Sequence, residues 1–139
     1  NQWVLPKDTA FPADRRVKSR KYRNWRKQAG RRIGRELMDR LLAMSASLCE
    51  VYGQQLTQIV LYGSYARGSQ TADSDVDIAL FIDGREDPLR HDRMTDIVVE
   101  LGVTLSVVTI DTEQYHRWQD TLPYFQNIHR EGIVLWKAA

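Results

Sequence analysis

With 139 residues, 42% of them hydrophobic and 27% charged, the chain has the make-up of one globular domain and excludes a collagen-like or wholly disordered polymer. No apolar run approaches the roughly 18 residues of a membrane span and no secretory signal opens the sequence, so a cytoplasmic protein without a membrane partner is expected. Cys49 is the only cysteine, which excludes an intrachain disulfide and fits a reducing compartment.

The formal net charge of +2 conceals an asymmetry. Residues 15–35 carry eleven Lys and Arg and no acid, whereas residues 36–139 carry eight Lys and Arg against sixteen Asp and Glu. A basic N-terminal extension over 1–30 is therefore expected ahead of an acidic domain over 31–139. The basic segment 15–35, with Tyr22 and Trp25 among its arginines, reads either as a solvated extension or as a surface for a nucleic-acid backbone or an acidic protein, including a second copy in an oligomer.

In chain order, residues 1–14 read as an irregular leader, and from about Lys18 the basic stretch has helical potential. Arg31 to Tyr52 is a firmer helix. Ile33, Leu37, Leu41, Met44 and Leu48 recur at three- and four-residue steps, an apolar stripe that places Cys49 in packing, and Gly53 ends the run. Thr57–Tyr62 reads as a strand, Gly63–Arg67 as a turn into a short helix, and residues 75–82 as the next strand. A helix over Leu89–Leu101 follows, with Met94, Ile97, Val98 and Leu101 turned inward, then a β-branched strand over Val103–Ile110. Asp111 with Gln114 marks a helix start. A helical turn over Tyr124–Arg130, stopped by Gly132, and a strand over Ile133–Trp136 complete the order. The fold class is α/β (α+β), a small mixed β-sheet packed against helices.

The chemistry concentrates between two of these strands. A Gly63-Ser64 step follows an apolar run, ten residues intervene, and Asp75-Val76-Asp77 opens the next run. Because strand side chains alternate, Asp75 and Asp77 share one face. Two carboxylates side by side repel each other unless a cation sits between them, and hard oxygen ligands of this kind suit Mg²⁺ completed by substrate phosphates. Gly63 allows a tight turn, and the N–H groups of a following helix can point at an anion. Ser64 and Arg67 are candidate phosphate ligands, and Ser74 either braces the carboxylates or simply forms the turn before them. His91, His116 and His129 have no metal-site spacing. Neither a Gly-x-Ser-x-Gly elbow nor a Walker loop is present. Trp25, Trp118 and Trp136 read as core or interface residues.

This Gly-Ser, ten residues, Asp-x-Asp pattern resembles the signature of the DNA polymerase β-like nucleotidyltransferase superfamily, over about residues 57–136. In a chain of this size it is most similar to the minimal nucleotidyltransferases, many of them antitoxins encoded beside HEPN-domain toxin ribonucleases. The resemblance implies a polymerase β-like fold and an Mg²⁺-dependent enzyme, with two ions allowed, that moves a nucleoside monophosphate from ATP or another NTP to a hydroxyl. It implies catalytic, metal-binding Asp75 and Asp77, nucleotide-binding Gly63, Ser64, Arg67 and Ser74, and a tyrosine of a HEPN-type toxin as acceptor.

One departure stands out. Active members carry a third carboxylate on the neighbouring strand, where this chain has Thr104 or Ser106. Asp83, Asp96, Glu100 and Asp111 are the candidate substitutes, each more simply read as a loop, helix-face or cap residue. The gap keeps a rival expectation open, an inactive antitoxin that neutralises its partner by binding. RNA-modifying and small-molecule-modifying nucleotidyltransferases share the same motif.

Overall fold

The computed structural model describes residues 33–139, beginning just before a long helix, α1 (Arg35–Tyr52). The expected helix begins four residues earlier in sequence, at Arg31. Gly34 stands at the observed start with φ of 91°, a backbone value no right-handed helix contains. Arg31, Arg32 and the expectations for the leader and the basic segment up to residue 32 lie outside the described residues. So does the boundary placed between residues 30 and 31.

After α1 a single 3-10 turn (Gly53–Gln55) leads into β1 (Leu56–Tyr62), then the four-residue α2 (Ser64–Arg67) and β2 (Val76–Ile82). Helix α3 (Pro88–Glu100) begins with proline at its first turn and Asp87 as N-cap, its side chain accepting from the Leu89 amide. Next come β3 (Leu105–Asp111), α4 (Thr112–Trp118) capped by Asp111, α5 (Pro123–Glu131) and β4 (Ile133–Lys137). The four strands form one sheet in the order β3-β2-β1-β4. Strand β1 is antiparallel to both β2 and β4, while β2 and β3 run parallel, so the sheet is mixed as expected.

Alternation along β2 explains the layering. Val76, Ile78, Leu80 and Ile82 enter a core shared with Met38, Leu41 and Leu48 of α1 and Met94 of α3. Ala79 and Phe81 face the other way, into a smaller core with Tyr115 of α4 and Ile128 of α5. Helices thus cover both faces, and every inward position of β2 is buried. Each fully buried Leu or Ile contributes about 1.5–3 kcal/mol, so the larger core anchors the sheet and the smaller one seats α4 and α5. The Arg40 guanidinium donates to the Leu101 carbonyl and ties α1 to the end of α3.

Trp136 is buried in the larger core, whereas Trp118, the last residue of α4, is 43% exposed, which leaves only the interface part of its expected role. Among the described residues no helix is long and apolar enough to cross a membrane.

Candidate active site

Strands β1 and β2 pair so that Tyr62 lies opposite Asp77, at the end of the sheet from which α2 departs. The chain turns there at Gly63, with φ of 77°. A Cβ built on Gly63 would stand 2.2 Å from Oδ2 of Asp77. No side chain fits, so the glycine is required twice, for its left-handed backbone and for the carboxylate against it. The turn continues into α2 through bonds from the Arg67 amide to the Gly63 carbonyl (3.1 Å) and from the Ser69 amide to the Ser64 carbonyl (2.9 Å). The first amides of such a helix have no earlier carbonyl to bind, which leaves donors at Ser64 and Tyr65.

Asp77 is half-buried and Asp75 is exposed. Burial, and then the charge of Asp75, push the Asp77 carboxyl above its ordinary range, with Arg67 pulling the other way. β2 begins at Val76, so Asp75 stands just before the strand, and its charge is near enough to act on Asp77. A cation between the two would reverse the sign of their interaction, so the donor set fits a divalent metal. Among the described residues no group of three or more His, Cys, Asp or Glu forms a metal-holding cluster. A metal held by this pair would take its other ligands from phosphate oxygens and water.

A cleft of about 410 Å³ opens over these residues, between α2 and α5. It is lined by Gly63, Ser64, Arg67 and Asp77 from the motif, and by Tyr62, Tyr124, Asn127, Ile128 and Glu131. Gly63, Ser64, Arg67 and Asp77 converge there, the exposed Asp75 is not part of the lining, and the far wall of the cleft belongs to α5, which no motif marks. Its signal in the sequence is the run Tyr124, Asn127, Ile128, Glu131 at helical spacing, one face of α5. Tyr62 and Tyr124 meet edge to face, with ring centres 6.0 Å apart and hydroxyls at 2.8 Å. Burial, the bond to Tyr124 and the charge of Asp77 push the Tyr62 hydroxyl well above the usual range for a tyrosine. Arg67 forms an ion pair across the cleft with Glu131 at 3.2 Å.

Other candidates lie elsewhere. Ser74 is engaged in its own turn, accepting from the Thr71 amide at 2.8 Å, and it does not line the cleft. In the parallel register Ser106 sits directly beside Asp77, whereas Asp111 pairs with Ile82 at the opposite end of β2. Asp83 follows that far end, its amide bonded to Gln55. Asp96 and Glu100 are exposed on α3, which packs on the other face of the sheet. None of the four substitutes reaches Asp77. His91, His116 and His129 are exposed.

Residues 47–139 match the family described as "Polymerase beta, Nucleotidyltransferase". The chain is 31% identical over 85 residues to a protein of Methanocaldococcus jannaschii named "Putative protein adenylyltransferase MJ0604", in an alignment that spans 61% of this chain and 83% of that one. Among solved structures, a toxin-antitoxin crystal structure with AMP-PNP is similar at 21% identity and a TM-score of 0.49, over 69% of this chain and 73% of that one. A mutant form of the toxin-antitoxin MntA-HpeT is similar at 20% identity and a TM-score of 0.46, over 66% and 68%.

Proposed function

Because the chain belongs to the polymerase β nucleotidyltransferase family, we propose that it transfers AMP from ATP to a hydroxyl of a protein, with Mg²⁺ as the metal. The observation that carries this reading is the seating of Asp77 against Gly63. A carboxylate and a phosphate-binding turn are held within van der Waals reach, at the mouth of one cleft. The relative named as a protein adenylyltransferase supports both the adenylyl group and the protein acceptor. The motif's resemblance to that of minimal nucleotidyltransferase antitoxins extends the proposal to a tyrosine of a HEPN-type toxin.

Asp75 and Asp77 would hold the Mg²⁺, which when bound supplies neutralisation of the triphosphate and polarisation of its α-phosphorus. The Ser64 hydroxyl and the first amides of α2 orient the β- and γ-phosphates. Arg67 exchanges Glu131 for a phosphate oxygen as the nucleotide enters. The acceptor oxygen then forms a bond to the α-phosphorus, the α–β bridging bond breaks, and pyrophosphate leaves. Displacement is in line, so with pyrophosphate over Ser64 and Arg67 the acceptor enters from the β3 side of Asp77, over Ser106. Glu131 pairs with Arg67 on the leaving-group side and is the wrong group to take the acceptor's proton. That proton passes to water or to a base that the acceptor brings. Catalysis by this chain rests on positioning and charge neutralisation.

Ser106 beside Asp77, where the family carries an acid, favours one second reading, an antitoxin that acts by binding alone. One experiment separates the two. ATP labelled at the α-phosphate is incubated with Mg²⁺ and host lysate, using wild type and the Asp75→Asn/Asp77→Asn double variant. A labelled protein band with wild type only is the expected result. Absence of label from a folded wild type, in a lysate that contains its partner, would overturn transfer in favour of binding.

A further inference from the structure

The motif accounts for the phosphate end of the cleft and leaves the α5 wall unassigned. Tyr124, Asn127 and Ile128 line the same cleft as Ser64 and Asp77 but come from α5 and not from the motif. Tyr124 is 47% exposed although it is a large aromatic residue. Its orientation is set by the edge-to-face contact and the 2.8 Å hydroxyl bond with Tyr62. A fixed, half-open ring in a nucleotide-sized cleft is a platform for a flat heterocycle.

Asn127 adds direction. Arg130 Nη2 lies 2.6 Å from its Oδ1. A guanidinium only donates, so the amide oxygen is the atom committed to Arg130, and the amide NH₂ remains as a donor toward the cleft. A donor at that place matches a base that offers a ring acceptor on its pairing edge. Adenine offers N1 as an acceptor, whereas guanine carries a hydrogen on N1 and has its acceptor, O6, at the neighbouring position, so a donor held opposite N1 favours adenine.

We infer that the α5 wall is the nucleobase subsite, with Tyr124 stacking on the base and Asn127 selecting adenine over guanine. The inference rests on the nucleotidyltransferase reading of this cleft and extends it to the base, which the motif leaves open. Both residues are exposed, so substituting them leaves the two cores intact.

The test is calorimetric titration of the full chain with ATP, GTP and inorganic tripolyphosphate in Mg²⁺. Wild type should bind ATP at least about fivefold more tightly than GTP. Tyr124→Ala should weaken ATP by about 5- to 100-fold and leave tripolyphosphate unchanged. Tyr124→Phe keeps the ring and should stay within about threefold of wild type. Asn127→Ala should bring ATP and GTP together. Equal ATP affinity in wild type and Tyr124→Ala overturns the subsite, as does a wild type without preference for ATP over GTP. If wild type binds ATP no better than tripolyphosphate, the base makes no contact and the subsite is likewise overturned. A folded wild type that binds neither ATP nor tripolyphosphate overturns the parent reading of the cleft together with this one.

Discussion

Gly63 and Asp77 form one unit: the space a side chain would need on the first is occupied by the carboxylate of the second, whose Oδ2 lies 2.2 Å from the ideal Cβ position. The phosphate-binding turn and the metal-binding strand are thus fitted to each other and cannot be altered independently.

Gly63→Ala should therefore fail in two ways. The alanine would carry both the strain of a positive φ and a clash that displaces Asp77, a loss of about 2–4 kcal/mol in stability. Gly84→Ala serves as the control. Its φ of 78° is as strained, but nothing lies within 4 Å of the added atom. It should cost only about 1 kcal/mol and leave nucleotide binding intact. Thermal melts and ATP titrations of the two variants check this.

Removing either motif carboxylate should separate activity from stability. Asp75→Asn and Asp77→Asn are each expected to lower label transfer by about a thousandfold or more, as loss of a metal ligand does. In EDTA the same variants relieve a repulsion, so they should melt about 1–4 °C above wild type. A lower melting point for Asp75→Asn would contradict the repulsion assigned to this pair.

Ser106→Asp should supply the acid that the family's strand carries. The parallel register puts this position beside Asp77. The expected outcome is tighter Mn²⁺ or Mg²⁺ binding and faster transfer, with a lower melting point in EDTA because a third negative charge joins the pair. Metal titration and melts with and without EDTA give the comparison. Unchanged metal affinity in a folded variant would show that position 106 does not face the metal.

Glu131→Gln should release Arg67 for phosphate. The pair is exposed enough that its loss costs about 0–1 kcal/mol in stability. A cleft that loses a negative charge should bind ATP several-fold more tightly, while Arg67→Ala should bind it about tenfold more weakly. Titration at low and high salt checks the charge origin, since the Glu131→Gln gain should shrink as salt rises.

Much of the fold was legible because its signals are local. The stripe along α1, the Asp111 cap and the β-branched run of β3 are each set by neighbours within a few residues, and the expected elements match within a few positions. Within the expected Arg31–Tyr52 helix, Ile33 is itself helical and Gly34, with its positive φ, breaks the run before Arg35. For Trp118 the sequence left core and interface open, and its exposure excludes the core.

For the site, sequence alone determined the Gly63-Ser64 turn, the Asp75/Asp77 pair and the lack of an acid on the following strand. The turn and the pair follow from spacing along one stretch of backbone, where strand alternation and the reach of a tight turn leave little choice, whereas the lack of an acid stands out only against the family resemblance. Only the tertiary structure decided what faces them. Tyr124, Asn127 and Glu131 lie about fifty residues from Asp77 or more in sequence and belong to no motif. They reach the cleft because β4 pairs antiparallel with β1 and brings α5 back over the sheet's end. Such a meeting is set by side-chain packing between distant segments, through Ile128 against Val60 and Phe81 in the smaller core. No local pattern encodes a contact whose energy exists only after the sheet has formed.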